Sequence, residues 1–525
     1  MEFDPPRGFV FHSTFIVWSL YKLCMATPSS IAPADRQFFE LIAQTAFANP
    51  FSSERAELDE KIVGHPSDVF SDAHVDELTG VITTRVQKLE TEGKADLRKY
   101  PAADRRLMQT VFLFELYHQH YKDFDQLILD QVRLGAQSAP VKFAGELLSQ
   151  MRRRGVSGPD SVRFFSIFYQ LRRAFYFIVR NLIGESACMR EFRRHLWQNV
   201  FTREVQLYER HLWNRMEDFS TLLLGETGTG KGTAAAAIGR SGYIPFDEKL
   251  GRFAESFMRS FVSLNLSQFP ETLIESELFG HRKGAFTGAV EAHEGVLARC
   301  SPHGAIFLDE IGDVSVPIQI KLLQVLQERT FCPVGSHEPL RFRGRVIAAT
   351  NRSLGSLRER DLFRQDFFYR LCSDMIEVPP LRQRLQQDPK ELRQLIEHTL
   401  TRMLGEPATE LVTHVETSLR RCVDNHYSWP GNVRELEQAI RRILVTGHYT
   451  ANAAPETASL REQLIAGIES QSLNAENLLA GYCKVLYETS GNYEAVGRRT
   501  NLDRRTVKKY VKSALNLQNH GRTES

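Results

Sequence analysis

One heptapeptide limits what this chain can fold into: Gly225, Glu226, Thr227, Gly228, Thr229, Gly230 and Lys231. The apolar run 221–224 before it predicts a buried strand, and the alanines at 234–237 predict the start of a helix. A strand, a glycine-rich loop and a helix in this order are typical of a phosphate-binding loop. There, backbone N–H groups face an anion and a lysine reaches the outer phosphates. The next position is Gly232 where Ser or Thr is usual, and Thr233 stands one place later, so a plain glycine-rich turn remains an alternative.

Two acids follow a second apolar run, residues 305–308, as Asp309 and Glu310. At the carboxyl edge of a parallel sheet, the first can hold Mg²⁺ through water and the second can deprotonate an attacking water. Strands predicted at 261–265 and 346–351 also end in polar side chains. Alternating strands and helices from about residue 188 predict an α/β doubly wound sheet. The occurrence of all these motifs in one chain favours a nucleotide-hydrolysing core over a plain glycine-rich turn.

The composition of the chain narrows the classes of protein to which it can belong. With 525 residues, a formal charge of +2 and 42% hydrophobic residues, the chain is an ordinary soluble protein of about three domains. Its seven cysteines are scattered without a CxxC pair, which predicts a reduced, cytoplasmic protein without structural zinc. His118 and His120 could be metal ligands, but helix residues two apart do not share a face, so ordinary histidines are expected. Four arginines interrupt the apolar segment 162–183, which favours a core helix and no membrane partner.

The N-terminal 24 residues have two interpretations. Residues 9–25 are apolar and aromatic but contain His12 and Lys22 and lack a cleavage signal, so they fit neither a membrane span nor a signal peptide. The alternative is that translation begins at Met25 and that residues 1–24 are an upstream extension.

Residues 34–184 show helical periodicity. Apolar residues recur every three or four positions along one predicted helix stripe, at Leu107, Val111, Phe114, Tyr117, Tyr121, Phe124 and Leu127. Breaks are expected at Pro101 and at residues 155–159. The aromatic stripes could line a ligand pocket, but core packing is favoured. By position alone, residues 25–187 are predicted to be a mostly helical regulatory (input) domain.

Further motifs make a family resemblance specific. They are ESELFGHRKGAFTGA (275–289), GAIFLDEIGD (304–313), IAATN (347–351), FRQDFFYRL (363–371) and WPGNVRELEQAIRR (429–442). With GETGTGK, they resemble the AAA+ domain of the bacterial enhancer-binding proteins that activate sigma-54 RNA polymerase. The resemblance covers about residues 188–445 and implies a P-loop ATPase core with a helical lid. The hexapeptide within it is close to diagnostic of that family.

The resemblance implies ATP and Mg²⁺ as cofactors and a role for each matching residue. Residues 225–233, Thr350, Asn351 and Arg434 would bind and sense nucleotide, and Asp309 would coordinate Mg²⁺. Glu310 would activate water under the control of Asn265. Arg364 and Arg370 would be arginine fingers for the neighbouring subunit's ATP, each worth roughly 10³–10⁵ in rate. The contact with sigma-54 would be made by Gly284, Ala285, Phe286, Thr287, Gly288 and Ala289.

The chain departs from the family pattern in two places. Family members usually carry Glu where this chain has Gly232, and residues 239–260 form an unusually long segment before Asn265. The other arginines near the fingers are expected to make ordinary surface ion pairs. These are Arg358, Arg360, Arg382 and Arg384.

The C-terminal region resembles a Fis-type helix-turn-helix domain. Residues 446–474 are predicted to be a linker giving way to a short helix, and residues 475–525 the DNA-binding domain. Helices are expected at 475–486, 493–499 and 504–515, with a break at Gly491 and a cap at Asp503. The third helix would place Arg504, Arg505 and Thr506 on bases and Lys508, Lys509 and Lys512 on phosphates. A charged, solvated helix is the alternative.

The favoured hypothesis is a sigma-54-dependent transcription activator. It would bind double-stranded DNA upstream of a promoter and assemble into a homo-oligomeric ring, expected to be a hexamer. ATP hydrolysis would remodel the closed complex of sigma-54 RNA polymerase holoenzyme into the open complex. Two alternatives are a DNA-binding repressor or scaffold that keeps the AAA+ fold, and a protein-unfolding ATPase that serves proteolysis.

Overall fold

The computed structural model describes residues 31–66, 71–353, 355, 357, 363–423, 427–449, 460–469 and 473–517. Residues 1–24, and with them the choice between Met1 and Met25, lie outside the described residues, as do Arg358 and Arg360. The chain divides into two compact units, Met1–Thr417 with His426–Leu444 and Ser418–Asn425 with Val445–Ser525.

Helices account for most of the described chain before the first strand. They are α1 (Pro33–Phe47), α2 (Ser53–Val63), α3 (Asp72–Thr91), α4 (Ala102–Gln119), α5 (Tyr121–Leu134), α6 (Ala144–Arg153), α7 (Gly158–Asn181) and α8 (Ala187–Phe201). Pro101 precedes α4, and α7 begins at Gly158 with Pro159 in its first turn. The breaks expected at these two places are confirmed. Ser157 caps α7, since its side chain accepts a hydrogen bond from the Asp160 N–H.

The expected single stripe from Leu107 to Leu127 is wrong, because the chain forms two helices there. His120 leaves the helical backbone at φ −108° and ψ 11°. Its Nδ1 lies 2.7 Å from Asp123 Oδ2 in the first turn of α5. The break between α4 and α5 is therefore accompanied by a local hydrogen bond of the His120 side chain. Neither Gly nor Pro stands at the break.

The core of the larger unit is a five-stranded, all-parallel sheet in the order β4-β5-β8-β1-β9. Its strands are β1 (Thr221–Leu224), β4 (Phe261–Asn265), β5 (Ala305–Asp309), β8 (Arg345–Thr350) and β9 (Asp374–Glu377). β1 and β8 are buried along their whole length, as expected for strands covered on both faces. The strands expected to begin at residues 221, 261, 305 and 346 are confirmed.

The two faces of the sheet belong to different cores. Leu223 points into a cluster that contains the apolar residues of α1–α8 and of α9 (Lys231–Gly239). Leu222 and Leu224 point into a second cluster with α10 (Glu271–Phe279) and α12 (Val316–Glu328). The helical region and one face of the sheet therefore share a single hydrophobic core.

The long segment 239–260 forms a hairpin of β2 (Phe246–Asp247) and β3 (Arg252–Phe253) that packs on the helical region. The ring of Phe253 stacks on Tyr169 of α7 at 4.2 Å between centroids. The backbone of the hairpin also joins that region, since Val141 N donates to Gly251 O at 2.9 Å. This departure from the family pattern is thus a docking element between two parts of the same chain.

The remaining elements of this unit flank the sheet and lead into a helical lid. They are α11 (Val296–Arg299), β6 (Thr330–Phe331), β7 (Leu340–Arg341), α13 (Gln365–Leu371), α14 (Leu381–Gln387), α15 (Glu391–Leu404), α16 (Thr409–Cys422) and α17 (Asn432–Thr446). The last two extend into the smaller unit.

Four helices follow in the described part of the smaller unit: α18 (Leu460–Glu469), α19 (Ala475–Ser490), α20 (Tyr493–Thr500) and α21 (Arg504–Leu517). Their small core contains Cys483, Val496, Val507 and Val511. Gly491 ends α19 in the left-handed conformation. The short helix in the linker and the three C-terminal helices match the sequence expectation closely.

No helix of the described residues is long and apolar enough to cross a bilayer. The same residues contain no cluster of three or more His, Cys, Asp or Glu that could hold a metal. His118 is buried, and Nδ1 of His120 lies 2.7 Å from Asp123 Oδ2.

Candidate nucleotide-binding site and exposed hexapeptide loop

The loop between β1 and α9 adopts a backbone that only glycine permits at its tightest point. Gly228 and Gly230 have φ of 80° and 101°. A Cβ at Gly228 would lie 2.2 Å from Gly431 O. The loop therefore closes against the segment that precedes α17, and no larger residue fits between them.

Lys231 is buried at the start of α9. Its Nζ donates to Gly225 O at 2.8 Å and to Glu226 O at 3.1 Å. Burial lowers the pKa of the lysine, while Glu310 and Asp309 oppose that shift. The ammonium group thus lies inside the loop, beside two carboxylates, where an outer phosphate of a nucleotide would meet it.

The two strand-end acids occupy the carboxyl edge of the sheet. Burial raises the pKa of both Asp309 and Glu310, and Lys231 counteracts the shift. Glu310 has φ 56°, a left-handed conformation that is uncommon for a residue other than glycine. Such local strain is found at functional sites, because the surrounding structure holds the side chain in one direction.

Asn265 lies beside Asp309 in the register of β4 and β5. Its Oδ1 accepts hydrogen bonds from Ser267 N and Oγ, at 3.0 and 2.8 Å. The Glu310 carboxylate accepts instead from the N–H of Asn351 at 3.3 Å. The restraint of Glu310 by Asn265 stays a prediction, and the described contact to the acid comes from the residue that follows β8.

A cavity of about 500 Å³ collects most of the predicted nucleotide residues. Its lining includes Thr227, Gly228, Thr229, Gly230, Lys231, Gly232, Thr233, Asn265, Asp309, Glu310 and Arg434. Gly225 and Glu226 begin the loop and accept hydrogen bonds from Lys231 Nζ, and Asn351 Nδ2 donates to Thr227 Oγ1 at 3.3 Å. Thr350 is fully buried, and its hydroxyl accepts from Arg352 N, so it supports the strand end from inside.

Sequence reasoning missed one wall of this cavity. Leu182, Ile183, Met189 and Phe192 line it, and they come from the residues just after α7 and from α8. No motif marks these residues, and only the fold brings them to the site. They supply an apolar surface at the same cavity as the phosphate-binding loop.

The lid holds the loop through specific polar contacts. Arg382 forms two hydrogen bonds to the Glu226 carboxylate, at 2.8 and 2.6 Å. The buried Asn432 donates to Glu226 Oε2 and to Thr227 O, each at 3.1 Å. Val433 N donates to Gly228 O at 3.1 Å. Lid and loop are therefore positioned as one piece.

The expectation of a surface ion pair is wrong for Arg384. This residue is buried, lines the nucleotide cavity and pairs with the buried Glu391 at 2.9 Å. It also donates to Ile183 O at 2.6 Å, which ties the lid to the end of α7. A run of arginines in a sequence does not show which one the tertiary structure buries.

Neither predicted arginine finger lines the cavity of its own chain. Arg364 pairs with Asp366 at 2.7 Å near the surface. Arg370 is exposed on α13, and its Nε donates to Leu326 O at 3.1 Å. The neighbouring Tyr369 is 75% exposed, so this helix presents large side chains to the outside.

The hexapeptide 284–289 forms a tight, solvent-exposed turn. Gly284 N donates to Ala289 O at 2.8 Å, and Ala289 N donates to Phe286 O at 3.0 Å. Phe286 is 40% exposed, and its ring meets the His281 ring edge-on at 4.9 Å between centroids. Thr287 and Gly288 are exposed. The interpretation of Phe286 as a loop-tip residue is confirmed.

The oxygen donors at the sheet edge fit a magnesium ion bound with a nucleotide. Asp309 and Thr233 line the same cavity, and they offer a carboxylate and a hydroxyl to a hard cation. Burial raises the pKa of Asp309, as expected for a carboxylate whose compensating charge is incomplete. Two protein oxygens suit Mg²⁺, since phosphates and water usually complete its coordination.

The third C-terminal helix carries its cations on the outside. Arg505, Lys508, Lys509 and Lys512 are exposed, and Arg504 makes an exposed ion pair with Glu494 at 3.3 Å. Thr506 is engaged in the helix cap, because its N–H and hydroxyl both donate to the Asp503 carboxylate. Thr506 is therefore the least free of the three predicted base contacts.

The fold and the site together define a class of protein. A parallel sheet with a glycine-rich loop after β1, acids at the end of β5 and a lid helix that contacts the loop is consistent with an AAA+ fold. Residues 201–377 match the family model of the Sigma-54 interaction domain, and residues 387–476 match that of the AAA+ ATPase lid domain. Two successive parts of the chain are thus similar to a sigma-54 interaction domain and to an AAA+ lid.

Proteins of similar sequence are regulators. The Nif-specific regulatory protein of Azotobacter vinelandii is 44% identical over 230 residues, which are 44% of this chain and 40% of that protein. The transcriptional regulatory protein ZraR of Klebsiella oxytoca is 37% identical over 295 residues, 55% of this chain and 62% of ZraR. In both alignments the chain spans less than two thirds of the relative.

Among solved structures, NtrX from Brucella abortus in complex with ATP aligns at a TM-score of 0.39 and 20% identity. The alignment covers 70% of this chain and 80% of NtrX. A TM-score of this size supports no conclusion.

Proposed function

We propose that the protein is a transcription activator that uses ATP hydrolysis to remodel sigma-54 RNA polymerase. One observation carries the proposal. Within the matched sigma-54 interaction domain, Lys231, Asp309 and Glu310 line one cavity, while Phe286 lies exposed on the hexapeptide loop of the same domain. A nucleotide site and a partner-facing loop are the two parts that such a motor needs.

In the proposed reaction, Glu310 accepts a proton from the water that attacks the γ-phosphate. Burial raises the pKa of its carboxyl, which brings this base closer to neutral pH, where general bases work best. The N–H of Asn351 holds one carboxylate oxygen in place. Lys231 and Arg434, which line the same cavity, bind the phosphates, and Mg²⁺ held by Asp309 and Thr233 would neutralise charge on them.

Assembly supplies the groups that one chain lacks at its own cavity. Arg364 and Arg370 lie outside it and would reach the γ-phosphate bound by the next subunit of a ring, expected to be a hexamer. Hydrolysis would then depend on assembly, because a trans arginine stabilises charge that builds up only in the transition state.

The output of each cycle would be movement of the hexapeptide loop against sigma-54. The three C-terminal helices would hold the ring near the promoter, with Arg504, Arg505 and Thr506 at base edges. Lys508, Lys509 and Lys512 would contact the DNA backbone. Their exposure on one helix supports this role, since cations that bind phosphates must be free of other partners.

Two substitutions test the motor and its output separately. Glu310→Gln is expected to retain ATP binding and to lose turnover by about 10²–10⁴-fold, because a general base is removed. Thr287→Ala is expected to retain ATPase activity and to lose open-complex formation on a sigma-54 promoter. The control for the second is Val290→Ala, which changes a 74% exposed residue just outside the hexapeptide. Full activation by Thr287→Ala would remove the loop from the mechanism.

A mixing experiment tests the trans arginine. Arg370→Ala alone is expected to lose ATPase activity by about 10³-fold or more, as for other arginine fingers. Rings mixed from Arg370→Ala and Glu310→Gln chains should regain part of the activity, since an intact finger then meets an intact base across some interfaces. Activity that does not rise above that of either variant alone would place Arg370 in its own site or outside the chemistry.

A further inference from the structure

A second large cavity, of about 570 Å³, lies entirely within the helical region. Its walls come from α1–α5, α7 and α8 and from the segment that follows α8. It shares no lining residue with the nucleotide cavity. A volume of this size is typical of sites for small organic ligands.

The walls of this cavity are mainly aromatic. Phe114, Tyr117, Phe164, Phe168, Trp197 and Phe201 are among its lining residues. Such surfaces bind the flat or flexible apolar body of a ligand by area burial and ring contacts. The aromatic stripes predicted to be core packing are therefore in part the lining of a cavity.

The charge of the lining is strongly positive. Six arginines line the cavity, against the two carboxylates Asp160 and Glu209. Arg55 is paired with Asp59, Arg172 with Asp125, and Arg163 with both Asp160 and Glu209, so these three guanidinium groups are partly neutralised. Arg106 and Arg210 make no ion pair within the described part of the chain.

Two further polar groups line the cavity without complete hydrogen bonding. The indole N–H of Trp197 is buried and has no partner among the described residues. Nδ1 of His118 lies 2.8 Å from Phe114 O and donates to it, which leaves Nε2 as an acceptor. Burial lowers the pKa of His118 to about 3, so the ring is neutral and adds no positive charge. A buried donor without a partner normally marks a place where a ligand or water completes the bonding.

We propose that this cavity binds a small organic anion whose aromatic or aliphatic body carries one carboxylate. The body lies against the aromatic walls, and the carboxylate meets the arginines that no acidic side chain neutralises. A cation is disfavoured by the excess of guanidinium groups, whereas a carboxylate gains charge-assisted hydrogen bonds that a neutral ligand does not make. Nothing in the sequence motifs assigns a ligand to this region.

Helix α7 contacts both this cavity and the residues that follow α9, the helix after the phosphate-binding loop. On one side α7 contributes Phe164 and Phe168 to the cavity. On the other side Arg173 donates to Arg240 O at 2.6 Å and to Gly242 O at 2.7 Å, just after α9. Since α9 begins at Lys231, a ligand that shifts α7 would act on the phosphate-binding helix. This consequence rests on the proposed ATPase function, whereas binding itself does not.

Binding is tested on the full chain by calorimetry with phenylbutyrate and decanoate. The controls are their uncharged amides, which match them in shape. We expect one saturable site per chain, with each carboxylate bound at least about tenfold more tightly than its amide, the gain of one charge-assisted hydrogen bond. Equal affinity of acid and amide, or no binding of either carboxylate, would overturn the proposal.

Two variants locate the site. Thr110→Trp places a large side chain in the cavity wall and should weaken carboxylate binding by about tenfold or more, as loss of the apolar contact area predicts. Its control is Thr84→Trp, at an exposed position on α3 outside the cavity. Unaltered binding by a folded Thr110→Trp chain would show that the probe binds elsewhere.

The paired variant Arg106→Gln with Arg210→Gln tests charge selection without filling the cavity. It should remove the preference for acid over amide while the affinity for the amide stays the same. Arg133→Gln, at an exposed residue outside the cavity, is the matched control. A preference for the acid that survives in the paired variant would overturn the assignment of these arginines.

The ATPase readout separates the two proposals. Phenylbutyrate should change the ATPase rate of the wild-type chain. The ATPase rate of Thr110→Trp should be the same with and without phenylbutyrate. Saturable binding in a chain without ATPase activity would count against the proposed function and leave the ligand site standing. Absence of phenylbutyrate binding in a chain with ATPase activity would count against the ligand site and leave the proposed function standing.

Discussion

Two glycine-rich loops of this protein have similar backbones and opposite surroundings. The phosphate-binding loop has positive φ at Gly228 and Gly230, and the hexapeptide loop has it at Gly284 and Gly288. Added Cβ atoms would meet nothing within 4 Å at Gly284 or Gly288, whereas one at Gly228 would meet Gly431 O at 2.2 Å. One loop is held from outside, and the other is held mainly by its own hydrogen bonds.

The difference follows from what each loop is proposed to do. Phosphoryl transfer requires donors fixed before the substrate arrives, because reorganisation during the reaction raises the barrier. Asn432 and Arg382 provide that fixation for the first loop. A loop that delivers movement to a partner must change position at low cost. The hexapeptide fits this, since its bonds 284–289 and 286–289 lie within the loop.

The largest effect is expected from Gly228→Ala. The substitution adds left-handed strain of about 1–2 kcal/mol and a backbone clash that forces the lid away from the loop. We expect loss of nucleotide binding by more than about tenfold and a clear fall in the free energy of unfolding. Titration with a fluorescent ATP analogue and thermal unfolding measure the two. Wild-type affinity in this variant would show that loop and lid are not one piece.

A smaller effect is expected from Asn432→Ala. Buried Asn432 has φ 52°, donates to Thr227 O and accepts from Leu381 N, so its loss leaves buried groups without partners. The cost should be about 2–3 kcal/mol in unfolding free energy. Asn432→Gly removes the same hydrogen bonds and relieves the positive φ, so the difference between the variants isolates backbone strain. Equal stability of Asn432→Ala and wild type would contradict the fixation of the first loop.

The smallest effect is expected from Gly284→Ala. The new Cβ meets open space, so only the φ of 81° costs energy, about 1 kcal/mol. The control is Gly145→Ala within α6, where open space and helical backbone predict a gain of about 0.5–1 kcal/mol. Chemical denaturation measures both. A loss at Gly284 as large as that at Gly228 would mean that the second loop is also held from outside.

The helical region is more than an attached input module in this structure. Its apolar residues share a core with Leu223 and Ala234, and Arg173 binds the backbone carbonyls beyond α9. Removing it would expose Phe246, Phe253 and Phe257 to water. Activity of a chain cut near residue 185 would then report lost stability together with the loss of the proposed regulation. Substitutions in the full chain separate the two.

Much of the nucleotide site was predictable because its parts are short, local motifs. β1, the loop 225–231 and the acids 309–310 require particular residues in sequence order, and the parallel sheet brings strand ends to one edge. The hexapeptide and the capped C-terminal helices are local in the same sense. Asp503, for example, bonds to residues only two or three positions away.

The sequence by itself therefore determined four strands of the sheet, the glycine-rich loop after β1, the strand-end acids, the C-terminal helices and the exposed turn at Phe286. Only the tertiary structure decided that His120 divides a helix, that Arg384 is buried beside the nucleotide cavity, and that Met189 and Phe192 line it. It also decided that the aromatic stripes enclose a cavity. The physical reason is range: hydrogen bonds of loops and caps join near neighbours, whereas burial depends on which distant surfaces pack together.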